Sequence, residues 1–281
     1  MSICYLEGTF RPTEECALPV TDLAIIRGVG VFDSLRSFDG KPFALEEHMK
    51  RLEDSALRVG IAVGDTVDRI KQIISDGLIR SDCPNGGSCL VRSYITGGDT
   101  NDLGLFPNPR HFIIFSKAEP PSDEEYRTGV SLLPTSESRY YPTIKSINYL
   151  AGIMQCAGRS DVWECLYCPG GEITETLASS FFVYMDGTIF TAPLGAVLGG
   201  VTRNIVIDLA RTYGFKVVEH ALRLSDLPAA DEAFITGTLK DVLPVVKVGD
   251  IVIGDGKPGP VAARLLRLFR EYRERRLKGG Q

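Results

Sequence analysis

A chain of 281 residues with 44% hydrophobic and 24% charged side chains has the composition of a globular protein, one large domain or two moderate ones, and not of a disordered or fibrous chain. Its 31 lysines and arginines stand against 36 aspartates and glutamates, a net charge of −5, so no chain-wide field draws it to nucleic acid or to an anionic membrane, and any anion site has to be local. The start, MSICYLEGTFRP, lacks a basic stretch followed by an apolar one, no apolar run nears the roughly 20 residues of a membrane span, and seven cysteines, an odd number, fit reduced thiols in the cytoplasm better than a disulfide framework.

In chain order, GVGVFDSLRSFDGKPFAL reads as two short strands around Asp39-Gly40, a pair that suits the positive φ of a tight hairpin. The next stretch, LEEHMKRLEDSALRVGI, sets Leu45, Met49, Leu52, Ala56 and Val59 at spacings of four and three, the apolar stripe of a helix that packs on the hairpin. SCLVRSYIT and RHFIIFSK, rich in branched and aromatic residues, predict further strands, so residues 1–117 form a small α+β domain. SKAEPPSDEEYRTG joins two prolines to an acidic cluster, which predicts an interdomain linker over 118–129.

Residues 130–281 read as a larger α/β domain. Strands are expected at GVSLLPT, WECLYC, SSFFVYMDGTIFTAP and EAFITGTL, with Asp186-Gly187 as a hairpin turn. A helix over VTRNIVIDLARTYG has Thr202 as its expected N-cap, Ile205, Val206 and Leu209 as its buried face and Gly214 as its stop. The last helix, PVAARLLRLFREYRERRLK, buries Val261, Leu265, Leu268, Phe269 and Tyr272 and turns its arginines to solvent. Cys165 and Cys168 have the spacing of half a zinc site, but nothing nearby completes four ligands, so no metal is expected.

Three features bear on chemistry. Gly199-Gly200 ahead of a helix lets backbone amides approach an anion at the positive end of the helix dipole, although an ordinary loop and N-cap would look the same. Lys145, in TIKSINYL, has no other charge for several residues on either side; a lysine poor in counter-charge and partly desolvated is one whose amine deprotonates and attacks a carbonyl, while the bland alternative is a surface lysine. If a helix began near Lys145, Tyr149 would lie on the same face. Glu172 and Glu175, at the entrance to a hairpin, are either solvated turn charges or partners for a basic ring nitrogen.

Taken together and in order, EEHMKRLEDSA, IKSINYL, ITETLASSFFVYMDGTIFTAP, GGVTRNIVIDLA and DEAFITGTLKDVLPV resemble the class IV aminotransferases, the fold type IV pyridoxal-phosphate enzymes. These include branched-chain aminotransferases, D-amino-acid transaminases and aminodeoxychorismate lyase. The resemblance covers nearly the whole chain and is specific as a set. It implies a two-domain fold type IV enzyme, α+β and then α/β, that takes pyridoxal 5'-phosphate, works as a homodimer and moves an amino group between an amino acid and a 2-keto acid. Lys145 would bind the cofactor covalently and shuttle the proton; Tyr149, by the helical spacing given above, could donate to the cofactor's phenolic oxygen. Glu175 would pair the pyridine nitrogen. Arg51, the backbone amides of Val201 and Thr202, and Thr238 would hold the phosphate, although Arg51 could instead pair with Glu47 one helical turn away.

For the substrate, the resemblance implies less. The loop ITGGDTNDLGLF carries neither the arginine and histidine with which the best-known D-amino-acid transaminases trap a carboxylate nor a branched-chain signature, and Asp33 stands where the family usually has glutamate. The cations left for a carboxylate are Arg27, Arg92 and Lys240, a trio similar to that of a less common group of D-amino-acid transaminases in which Arg27 would reach the partner subunit's site. Each could equally pair with a carboxylate of the protein, Lys240 with Asp241 or Asp231. A branched-chain L-aminotransferase, a pyridoxal-dependent lyase and a cofactor-binding regulatory protein are the competing readings.

Overall fold

A computed structural model describes residues 2–63, 66–81, 87–100, 104 and 106–279. The chain separates into two units: residues 1–119 with 144–148 and 276–281, and residues 120–143 with 149–275. The first contains, in order, β1 (Ile3–Leu6), β2 (Thr9–Pro12), α1 (Leu23–Arg27), β3 (Gly30–Phe38), β4 (Lys41–Pro42), α2 (Leu45–Arg58), α3 (Thr66–Arg80), β5 (Ser88–Thr96) and β6 (Arg110–Lys117). Among the described residues its strands form one antiparallel sheet ordered β2-β1-β6-β5-β3-β4.

Alternation in the sequence decides which side of this sheet is covered. Val31 and Leu35 of β3, Val91 of β5 and Ile113 and Phe115 of β6 point to one face, where Met49, Leu52 and Ala56 of α2 and Ile70, Ile74 and Leu78 of α3 close the core. The hairpin at Asp39-Gly40 takes φ of 50° and 73°, as the residue pair predicts. Gly77 of α3 cannot be larger, because a Cβ there would sit 2.1 Å from Cζ of Phe115.

Residues 144–148 also belong to this unit. The amide of Phe32 donates to the carbonyl of Lys145 at 2.9 Å, the amide of Ile147 donates to that of Gly30 at 3.1 Å, and the Ile144 side chain enters the core. The segment therefore runs as an extra strand edge along the start of β3.

The second unit contains α4 (Asp123–Thr128), β7 (Val130–Thr135), α5 (Leu150–Cys156), β8 (Glu164–Tyr167), β9 (Ser180–Met185), β10 (Thr188–Thr191), α6 (Val201–Thr212), β11 (Lys216–Glu219), β12 (Glu232–Gly237), β13 (Asp241–Val248), β14 (Ile251–Val252) and nearly all of α7 (Pro260–Leu277). Among the described residues the sheet is ordered β11-β10-β9-β12-β13-β7-β8, with β14 added to β13. It is mixed: β10 with β11, β13 with β7 and β7 with β8 are parallel.

Two local details depart from the sequence reading. Residues 123–128, expected within a linker, form a short helix closed by a capping box in which Ser122 and Glu125 satisfy each other's backbone amides. The arginines of α7 are not all solvated, since Arg270 and Arg273 reach the buried carboxylate of Asp241, Arg273 at 2.8 Å. The start of α7 is held by Glu232, whose two carboxylate oxygens accept from the amides of Val261 and Ala262 at 2.9 Å each. Burial pushes the Cys165 and Cys168 thiols up to about 12. Among the described residues no helix is long and apolar enough to cross a membrane.

Candidate active site

In the first unit the backbone of Lys145 is fixed on both sides, its N–H donating to Ser55 Oγ of α2 at 3.2 Å and its carbonyl accepting from Phe32. Its half-buried side chain puts Nζ over the Phe32 ring, 4.7 Å from the centroid. The helix expected to begin near Lys145 does not. Because residues 145 and 147 use their backbone groups on β3, α5 starts only at Leu150 with Tyr149 as its N-cap, and the four-residue helical spacing that would align Tyr149 with Lys145 is absent.

One side of α2 faces the buried Asp33 of β3. Asp33 Oδ2 accepts from Arg51 Nε at 2.7 Å, and Oδ1 accepts from Arg51 Nη2 at 2.9 Å and meets His48 Nδ1 at 2.7 Å. Burial would raise the Asp33 pKa, but the Arg51 guanidinium and His48 outweigh it and hold the carboxyl well below the usual range. With Asp33 ionised, the hydrogen of the dyad resides on His48 Nδ1, and burial pushes His48 down toward its neutral form. The aspartate in place of glutamate thus still orients the guanidinium with both oxygens. The alternative partner, Glu47, pairs with Arg276 instead, at 2.5 Å.

In the second unit the two candidate carboxylates part company: Glu172 is exposed, whereas Glu175 is 3% exposed. The carbonyl of Glu175 accepts from the Tyr167 amide at 2.9 Å, and its Oε2 accepts from the Leu198 amide at 3.1 Å. Arg139, a residue the sequence reading passed over, lies beside it with Nε 3.8 Å from Glu175 Oε1 and Nη2 donating to the Tyr149 hydroxyl at 3.1 Å.

At the start of α6 the N-cap is Gly200 rather than Thr202, and among the described residues no side chain caps the helix. Thr202 sits one residue past the buried first position, Val201, so the amides of both belong to the uncapped first turn, where an anion is stabilised. A Cβ at Gly200 would lie 2.9 Å from Ser180 Oγ and 3.0 Å from Arg203 Cβ, so a larger residue there would force one of these neighbours to shift. Thr238 is half-buried on the turn from β12 to β13.

The three cations considered for a substrate carboxylate stand differently. Arg27 ends α1, exposed, with Nη1 donating to the carbonyl of Ile26 at 2.8 Å. Arg92 is half-buried on β5, on the face where Tyr94 stacks between Phe32 and Phe112 at centroid distances of 5.4 and 4.7 Å, and its side chain makes no hydrogen bond or ion pair among the described residues. Lys240 is engaged, with neither Asp241 nor Asp231 but with Glu164 Oε1 at 2.8 Å and Ser179 Oγ at 2.7 Å. Residues 101–103 and 105 of the loop ITGGDTNDLGLF lie outside the described residues.

A family model of amino-transferase class IV matches residues 30–248. A protein of Methanocaldococcus jannaschii, provisionally named a branched-chain-amino-acid aminotransferase, is 31% identical over 284 residues, covering 96% of each chain. The D-alanine aminotransferase of Staphylococcus haemolyticus is 27% identical over 283 residues, 98% of this chain and 99% of the relative. Among solved structures, the branched-chain amino acid aminotransferase from Escherichia coli is similar with a TM-score of 0.83 at 28% identity, over 97% of this chain and 94% of that one.

Proposed function

The chain belongs to the class IV aminotransferases, pyridoxal-phosphate-dependent transaminases, and from that premise we propose that it moves an amino group from a D-amino acid, such as D-alanine or D-glutamate, to a 2-keto acid. The observation that carries the preference is Arg92: a half-buried guanidinium with no carboxylate of the described residues beside it, next to an aromatic stack, is a cation in want of a substrate carboxylate. Arg27 assists, reaching the partner subunit's site in a cytoplasmic homodimer. Lys240, already neutralised by Glu164, holds the turn instead of waiting for substrate.

The residues present fit the cofactor. Pyridoxal phosphate, when bound, supplies an aldehyde and an electron-withdrawing ring that takes up the charge left as the substrate's α-proton departs. Lys145 supplies the amine for the aldehyde and afterwards holds and returns that proton at Nζ. Glu175, buried and bonded on one oxygen by the Leu198 amide, offers its carboxyl group to the ring nitrogen. The uncapped amides of Val201 and Thr202, Thr238 and the oriented guanidinium of Arg51 suit a phosphate dianion, and the Tyr149 hydroxyl suits the phenolic oxygen.

A branched-chain L-amino-acid donor is the second reading, favoured by the likeness to the Methanocaldococcus jannaschii and Escherichia coli proteins. The two separate when the pyridoxal-phosphate-loaded protein is mixed separately with D-alanine, L-leucine and L-glutamate and its visible band is followed. Bleaching by D-alanine, reversed by a keto acid, supports the D-specific reading. Bleaching only by L-amino acids refutes it and leaves the branched-chain one.

A further inference from the structure

Arg139 is a large cation only 9% exposed, placed between the end of β7 and the start of α5. Burying a guanidinium costs several kcal/mol unless its donors and charge are matched, and here the match is uneven. Nη1 donates to the carbonyl of Leu177 at 3.1 Å and Nη2 to the Tyr149 hydroxyl at 3.1 Å, with the guanidinium carbon 4.8 Å from the Tyr149 ring centroid. Among the described residues Nε has no hydrogen-bond partner, and it stands 3.8 Å from Glu175 Oε1, about an ångström beyond a closed ion pair. A charge serving stability alone would close that pair. Held at this distance, it acts on the carboxylate through space.

The contact with Tyr149 has a direction. Because a guanidinium only donates, the Tyr149 oxygen accepts from Arg139, so the phenolic hydrogen points elsewhere and is polarised by the neighbouring charge, which makes it a stronger donor. The titratable groups facing Arg139 are Tyr149, Glu175 and Tyr167 of β8. Burial raises the pKa of Tyr167, and among these groups Glu175 is the one carboxyl facing the guanidinium.

We propose that Arg139 is a positioning residue that tunes the cofactor ring at two ends at once, holding Glu175 ionised against the ring nitrogen and aiming the Tyr149 hydroxyl as a donor at the phenolic oxygen. This rests on the assignment of Glu175 and Tyr149 to pyridoxal phosphate. The sequence offers no cue to it, because Arg139 lies 10 residues from Tyr149 and 36 from Glu175 in a stretch without periodicity.

The test is the pH midpoint at which the visible band of the lysine-bound cofactor converts, measured in the loaded protein beside its unfolding temperature. Removing a fixed positive charge favours the protonated form of that chromophore, so Arg139→Gln raises the midpoint by about one pH unit. Arg139→Lys, which keeps the charge, restores most of the shift. A midpoint in Arg139→Gln equal to that of the wild type, or equal shifts in the Gln and Lys variants, overturns the proposal. If Arg139→Gln does not fold, a cycle of Arg139→Lys and Tyr149→Phe decides instead: the band shift of Tyr149→Phe shrinks in the Arg139→Lys background if Arg139 aims the hydroxyl, and additive shifts overturn it. Borohydride reduction and mass analysis of the wild type separate the two levels. A wild-type protein that takes up no reducible cofactor refutes the underlying site assignment, whereas uptake with unmoved midpoints refutes only the role of Arg139.

Discussion

Replacing Lys240 by alanine isolates the question of what that ammonium does. Its partner, Glu164, has a side chain 5% exposed against 15% for Lys240, and accepts at 2.8 Å from Lys240 Nζ, at 2.8 Å from Ser179 Oγ and at 2.8 Å from the Ala178 amide. Breaking a buried pair on one side costs about 3–5 kcal/mol. Two neutral donors stay on the carboxylate and Lys240 is partly solvated, so the expected loss is about 2–3 kcal/mol. For a chain of this size that lowers the unfolding temperature by about 5–8 °C. Adding Glu164→Gln to Lys240→Ala removes the stranded charge and recovers at least about 1.5 kcal/mol. The assay is thermal unfolding of the loaded protein, with kinetics on a D-amino acid and on a simple (R)-amine that has no carboxylate. Lys240 acting as a strut lowers kcat/KM for both by the same factor. A loss of stability below about 0.5 kcal/mol, or a KM increase confined to the carboxylate-bearing substrate, refutes this account and returns Lys240 to the substrate site.

Other perturbations are as specific. Lys145→Ala leaves no borohydride-reducible link to pyridoxal phosphate, and a reduced covalent adduct found by mass analysis would remove Lys145 from its role. His111 is depressed to about 4 by burial with the charge of Arg69 adding to it, so its neutral form is the native one. The unfolded chain then binds the extra proton between about pH 6.5 and 4, and the contribution of His111, present in full above that window, is lost as pH falls. The unfolding free energy therefore drops by up to about 3 kcal/mol across the window, and His111→Phe flattens the profile; an unchanged slope in the variant counts against it. Gly259→Ala would drive a Cβ to 2.1 Å from the Glu232 carboxyl carbon and push it off the start of α7. Urea unfolding should report a loss of about 2–3 kcal/mol, the cost of orphaning a buried carboxylate and two amides.

Some of the candidate site was proposed from the sequence because its signals are local. The isolation of Lys145 from other charges, the glycine pair before α6 and the helical stripe of α2 that also carries Arg51 are each written within a few residues of chain. Composition and spacing alone left Glu175 and Glu172 alike at the entrance to a hairpin; the family resemblance pointed to Glu175, and the fold buries Glu175 while leaving Glu172 exposed. The helix at 123–128 did leave a sign, serine followed three residues later by glutamate, which the prolines and acidic composition masked.

What the sequence determined by itself is the set of elements whose causes act over one or two turns of chain: the β3 alternation, the hairpins at Asp39-Gly40 and Asp186-Gly187, the buried faces of α2 and α7 apart from Leu45, Val59 and Tyr272, which stay half-buried, and the ordered motifs that mark the family. The tertiary structure alone decided the pairings. Lys240 meets Glu164 across 76 residues, Arg273 meets Asp241 across 32, and the chain at 144–148 leaves helical spacing to complete the edge of β3. The physical reason is that a charge or a backbone amide takes whichever partner the fold brings within about 3 Å under low dielectric. That choice depends on the path of the whole chain, whereas propensity and periodicity depend only on neighbours.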